Sequence, residues 1–170
     1  MKARDRERAD SGADGECCDG GMVTWQMVLD CARPDRLVPF WCEVLGYEPT
    51  PPPEPHATWR DAYLAMGVSA EELEGGDDCS DRARDPEGEG PDLWFQPVPE
   101  AKARKNRWHV DIRVSGGRDR PMDERQERVD ARVEDLVRFG GSVLSRNLSD
   151  EVDHYWVIMA DPEGNEFCVC

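Results

Sequence analysis

Only three histidines occur among the 170 residues, so any imidazole chemistry rests on His56, His109 or His154. No apolar run approaches the ~18 residues that a membrane-spanning helix requires. No basic n-region followed by an apolar h-region marks a secretory signal. Basic residues are scarce: 21 Lys and Arg face 37 Asp and Glu, for a net charge of −16. Such a field repels phosphate backbones and argues against nucleic-acid binding. The seven cysteines lack Cys-x-x-Cys spacing, so neither a disulfide scaffold nor a zinc ribbon is expected. A cytoplasmic protein with reduced thiols, without a membrane or nucleic-acid partner, fits these absences.

Residues 1–21 hold no Val, Leu, Ile, Phe, Tyr or Trp and bury too little to offset the entropy of ordering. They read as a disordered acidic tail ahead of one domain over 22–170. Val23–Asp30 has the composition of a strand. In Arg36–Leu45, Leu37, Phe40, Trp41, Val44 and Leu45 form one apolar stripe at helical spacing. Asp35 is the expected N-cap and Gly46 the expected stop. Five prolines within Pro49–Pro55 force an extended connector, and Trp59–Met66 fits either a helix or a strand. Residues 71–92 carry ten carboxylates against two arginines and read as a solvated loop around a short strand near Arg82–Arg84. EF-hand spacing is absent there, so calcium is not expected.

The second half repeats the order. A strand is expected over Arg107–Val114. A helix follows, with Val129, Val133, Leu136 and Val137 on one face, ending at Gly140-Gly141. Strands follow near Ser142–Leu144, at His154–Ala160 and at Glu166–Val169. Asp-Pro-Glu-Gly occurs twice, at Asp85–Gly88 and Asp161–Gly164, each time before an apolar strand. Trp25-Gln26-Met27-Val28-Leu29 reads in register with Trp108-His109-Val110-Asp111-Ile112. The implied fold is α+β, with two βαβββ modules at about 22–98 and 107–170 enclosing a cavity. The repeat sets Gln26 beside His109 and Gln96 beside Cys168.

Four motifs carry a resemblance: Phe40-Trp41-x-x-Val44-Leu45-Gly46-Tyr47, Asp161-Pro162-Glu163-Gly164-Asn165, Lys105-Asn106-Arg107-Trp108-His109-Val110-Asp111 and Asn165-Glu166-Phe167-Cys168. Together they resemble the vicinal-oxygen-chelate superfamily of glyoxalase I, extradiol dioxygenases and bleomycin-resistance proteins, in a glyoxalase-like branch. The resemblance implies metal ligands on the first and last strands of each module, here Gln26, Gln96, His109 and Cys168. Two amides and an imidazole add no negative charge, and the usual carboxylates are missing, so a cavity without a metal cofactor is expected. Strand alternation from His109 turns Asp111 and Arg113 to the cavity, where they are expected to pair, and Trp108, Val110 and Ile112 to the helix side. Glu166 shares a face with Cys168, and Trp94 with Gln96. The expected ligand-binding set is therefore Gln26, Trp94, Gln96, His109, Asp111, Arg113 and Cys168.

The cluster Lys102, Arg104, Lys105 and Arg107 either steers an anion or balances the acidic surface. Two functions stay open. One is a small-molecule-binding protein. The other is a metal-dependent lyase or isomerase acting on a small carbonyl compound, with His109 or Glu166 as the catalytic base. A homodimer is expected, because the aromatic content of Trp25, Trp41 and Trp59 exceeds what one core needs.

Overall fold

A computed structural model describes residues 25–71, 73, 80–106 and 108–170; the expected tail lies outside them. The first module runs β1 (Gln26–Cys31), α1 (Pro34–Leu45), β2 (Glu48–Pro49), α2 (Trp59–Ala65), β3 (Arg82–Arg84) and β4 (Asp92–Pro97). The second runs β5 (Asp111–Ile112), α3 (Met122–Arg138), β6 (Ser142–Ser149), β7 (His154–Ala160) and β8 (Glu166–Val169). Two sheets have matching orders, β1-β4-β3-β2 and β5-β8-β7-β6. In each, the first strand pairs in parallel with the last and the other neighbours are antiparallel. The expected α+β fold of two βαβββ modules is present, with α2 as an addition to the first.

Helix α1 buries Leu37, Val38, Phe40, Trp41, Cys42 and Val44. Its N-cap is Arg33, without a side-chain cap, and not Asp35, which sits in the first turn. The capping work is done from afar: the Glu163 carboxylate accepts the N–H groups of Ala32 and Arg33 at 2.8 and 2.6 Å. Gly46 ends the helix at φ 73°, a left-handed conformation that glycine adopts without steric cost. Strand β2 is only two residues long, because the prolines after it have no N–H to extend a ladder. Trp59–Ala65 is a helix, capped by Thr58, whose hydroxyl accepts from the Asp61 N–H at 3.0 Å. Helix α3 buries Val129, Val133 and Leu136, but Val137 is 46% exposed and lies off the stripe.

One core serves both modules. Helix α1 packs on β3 and β4, and α3 on β6, β7 and β8. Phe167 from β8 meets Phe40 at 5.8 Å and Trp41 at 5.4 Å between ring centroids. Trp41 is therefore core, at 3% exposure, while Trp25 is 63% exposed. Below that contact lies a buried carboxylate. Asp161 accepts from Trp41 Nε1 at 3.1 Å, and from the Glu163 N–H, the Asn165 N–H and Asn165 Nδ2 at 2.9 Å each. The first Asp-Pro-Glu-Gly turn is built alike but stands in solvent. Among the described residues its Asp85 accepts only local N–H groups, from Glu87, Glu89 and Gly90. Both turns place glycine at positive φ, Gly88 at 71° and Gly164 at 89°, which explains why the motif ends as it does.

The two turns are thus equal in sequence and unequal in consequence. Asp161→Ala strands buried N–H donors and the Trp41 indole, and should cost roughly 3 kcal/mol or more. Asp85→Ala should cost clearly less in the same urea-unfolding experiment. Equal losses for the two variants would contradict the account.

Candidate functional site

Strand β1 ends one sheet and β5 ends the other, and between these edges lies a cavity of about 620 Å³. Gln26, Val28 and Asp30 face it from β1, and Asn106, Trp108 and His109 from the approach to β5. Trp25, Trp41 and Glu166 complete the part of the wall that matters chemically. With Asn165 also lining it, three indoles, three amides, an imidazole and two carboxylates meet in one space. A second cavity of about 620 Å³, near α1 and Arg132 of α3, holds none of the residues expected from sequence to bind a ligand.

Trp25 and Trp108 were not expected in the site. Trp108 is 86% exposed, opposite to the helix-side placement that strand alternation gives. The reason is local: the β5 ladder begins at Asp111, so alternation does not govern residues 108 and 109. The signal was present in the repeat, where each tryptophan directly precedes a site residue, Trp25-Gln26 and Trp108-His109.

The register corrects the repeat in the other strand pair. Val28, two residues beyond Gln26, pairs with Trp94, whereas Asp111, two beyond His109, pairs with Cys168. Trp94 is thus the counterpart of Cys168, and Gln96 lies two residues further along. Gln96 pairs with Asp30 and Gln26 with Asp92, so the two glutamines stand roughly 13 Å apart along the sheet at ordinary strand rise. Trp94 is engaged elsewhere. Its Nε1 donates to Asp81 Oδ2 at 2.9 Å, and the Arg82 guanidinium lies 5.1 Å from its ring and 5.6 Å from that of Trp59. Among the described residues, Asp111 and Arg113 form no ion pair with each other, contrary to expectation, and Arg113 is exposed.

Glu166 Oε2 accepts from the Asn106 N–H and from Lys102 Nζ, both at 3.0 Å. The backbone bond from Asn106, followed by that from Lys102, pulls its pKa down to about 2 against the cost of desolvation. A carboxylate of such low proton affinity is a poor general base. The same pair neutralises Lys102, and so weakens the steering role of the basic cluster; Arg107 lies outside the described residues.

His109, Asp111 and Cys168 converge, each offering one atom within 4.8 Å of the others. Cys168 Sγ is 3.7 Å from His109 Nδ1. Burial, then the Asp111 carboxylate, pushes the thiol pKa up to about 11, so Cys168 is a protonated thiol at neutral pH. The divalent ion implied by the resemblance would draw on Gln26, Gln96, His109 and Cys168. That set does not fit, because its two glutamines cannot reach one centre.

A family model for a glyoxalase-like domain matches residues 26–170. No curated protein matches the chain. Solved structures share the fold at low identity. A hypothetical protein SA1046 from S. aureus is 13% identical with a TM-score of 0.52, over 88% of this chain and 94% of that one. A glyoxalase/bleomycin resistance protein/dioxygenase family enzyme from Burkholderia phytofirmans PsJN is 12% identical with a TM-score of 0.50, over 85% and 94%. A mutant of the fosfomycin resistance protein FosX from Listeria monocytogenes, solved with Mn(II) and a dihydroxypropylphosphonic acid, is 9% identical with a TM-score of 0.50, over 87% and 90%.

The depressed pKa of Glu166 links it to acid stability. Its contribution is fully present above the unfolded value near 4.5 and is lost as pH falls towards about 2. Glu166→Gln should therefore be less stable than the parent at pH 7, by roughly 1–2 kcal/mol after allowance for solvent. The two should converge near pH 2. A deficit that stays constant with pH, in unfolding curves taken across this range, would remove the ionic explanation.

Proposed function

The chain belongs to the glyoxalase-like domain family, and from that premise we propose that it binds a small molecule in the cavity between β1 and the approach to β5. The observation that carries this reading is the wall itself. Trp25 and Trp108 offer flat apolar faces, and Gln26, Asn106 and His109 offer hydrogen bonds. The volume falls in the range of small-ligand sites, which are mostly apolar with few polar groups. A ligand with a planar apolar body and one polar head suits that division. His109 acts as a hydrogen-bonding contact: its Nδ1 lies 3.7 Å from the Cys168 thiol, and among the described residues no hydrogen bond from Asp111 orients the imidazole.

A second reading, a metal-dependent lyase or isomerase of glyoxalase type acting on a carbonyl compound, draws support from the clustering of His109, Asp111 and Cys168. Glu166 is unsuited to be its base, which leaves for that role the His109 ring nitrogen that does not face Cys168. A homodimer belongs to the same proposal. Trp108 leaves most of its surface uncovered in one chain, and a second subunit closing over the cavity would bury it.

Thermal-shift screening of small molecules, followed by titration of tryptophan fluorescence, tests the binding reading. Trp108→Ala and His109→Ala should each weaken an identified ligand about tenfold, or ~1.4 kcal/mol. The stability cost should stay within about 1 kcal/mol, because both side chains are exposed. Unchanged affinity in both variants would sink the assignment of this cavity. So would a His109→Ala protein that is largely unfolded while its folded fraction still binds.

A further inference from the structure

We propose that the second cavity, between α1 and α3, binds an aliphatic carboxylate, with the chain on its apolar wall and the anionic head on Arg120 and Arg128. This space shares no residue with the cavity beside β1. Pro39, Leu45, Ile112, Val114 and Phe139 line it. All but Phe139 are aliphatic, whereas the other cavity is walled by indoles. Phe139, just past the end of α3, is half exposed, so the wall is open to an incoming chain. The volume of about 620 Å³ falls within the range of small-ligand sites.

The charges around this cavity are unequally satisfied. Glu43 and Arg132 line it but neutralise each other: Glu43 Oε1 accepts from Arg132 Nη1 at 2.8 Å, and Nη2 donates to the Glu43 and Val44 carbonyls. Arg128 stands one turn earlier on the same face of α3. Its Nε donates at 2.8 Å to the carbonyl of Val114, a residue that lines the cavity. That bond holds the guanidinium at the rim, and its two terminal nitrogens have no partner among the described residues. Arg120 lies beside it, and Gly116 makes the room. A β-carbon at Gly116 would meet Arg120 Nε at 2.6 Å and Arg128 Cζ at 3.5 Å, so both guanidinium groups close on a residue without a side chain. The φ of 84° there also favours glycine. Among the described residues only Glu124 pairs with either arginine. It lies 3.4 Å from Arg120 Nη1 with both side chains about half exposed, and such a pair is weak. Two adjacent guanidinium groups with so little counter-charge, in a chain of net charge −16, form a seat for an anion. A carboxylate accepts two parallel N–H bonds from one guanidinium. An aliphatic wall beside a cationic rim selects a molecule with both characters.

Isothermal titration calorimetry of the full chain with octanoate tests the site. One molecule should bind per chain. Octanol and acetate, each lacking one half of the ligand, should bind about tenfold more weakly or worse. Arg120→Ala, Arg128→Ala and Phe139→Ala should each weaken octanoate severalfold. Trp108→Ala, which removes a wall of the other cavity, should bind octanoate as the parent does. Circular dichroism establishes that each variant is folded, and the exposed Arg120 supplies the readout should Arg128→Ala fail that check. Absence of octanoate binding, octanol or acetate binding as tightly as octanoate, or full affinity in Arg120→Ala or Phe139→Ala would each overturn the site. Loss of octanoate in Trp108→Ala would assign the binding to the other cavity and overturn it as well. A ligand of the cavity beside β1 is read through Trp108 and His109, so failure here is separate from failure of that reading.

Discussion

The buried carboxylate of Asp161 is the contact on which the arrangement of the two modules turns. It holds the turn before β8 in shape and accepts the Trp41 indole N–H from α1 of the other module. Burying a charge without partners is costly, and here four donors converge on it. Glu163, from the same turn, reaches across to the two N–H groups at the start of α1. Phe167, just beyond the turn, then packs against Phe40 and Trp41. Two residues of the turn, Asp161 and Glu163, and one strand residue, Phe167, thus dock the second module on the first helix of the first. This docking sets the gap between β1 and β5, and hence the cavity.

Much of this was legible from sequence, where a strong local signal and tertiary packing agree. The stripes of α1 and α3 and the strand His154–Ala160 follow from periodicity, and the module order follows from the repeated turn. The misreadings have physical causes. Val137 sits near the end of α3, at the margin of the apolar stripe. Trp59–Ala65 is too short for periodicity to separate helix from strand, and the Thr58 cap decided it. The pairing of Gln96 with Cys168 takes the link from turn to strand as four residues longer in the first module, whereas it is two longer, running from Asp85 to Asp92 against Asp161 to Glu166. An apolar pattern of period two is blind to such a shift, since residues two apart share a face.

The electrostatics of the site follow from burial and neighbours, which no spacing reveals. Glu166 reads from sequence as a base on a cavity-facing strand. In the fold it is bound by a backbone N–H and an ammonium, and it serves to pin the segment 102–106 against β8. That pin positions Asn106, and with it the approach to Trp108 and His109. The residue matters to the site through what it holds in place.

The two modules share a topology but divide the labour, and the division explains where the chemistry went. In the first module the position equivalent to Cys168 is Trp94, whose ring is stacked by Arg82, itself covered by Trp59 of α2. Asp81 ties that stack together, accepting from Trp94 Nε1 and from the Tyr63 hydroxyl. A surface filled by a guanidinium between two indoles has no lone pair to give a metal and no space for a ligand. In the second module the same face carries His109, Asp111 and Cys168, with no added helix between β5 and β8 to fill it. A symmetric plan, with donors from both halves, is incompatible with α2 and its tryptophan stack. Once the first half is closed in this way, polar chemistry is confined to the second half and to the seam, where Gln26 and Asp30 are contributed from across the gap.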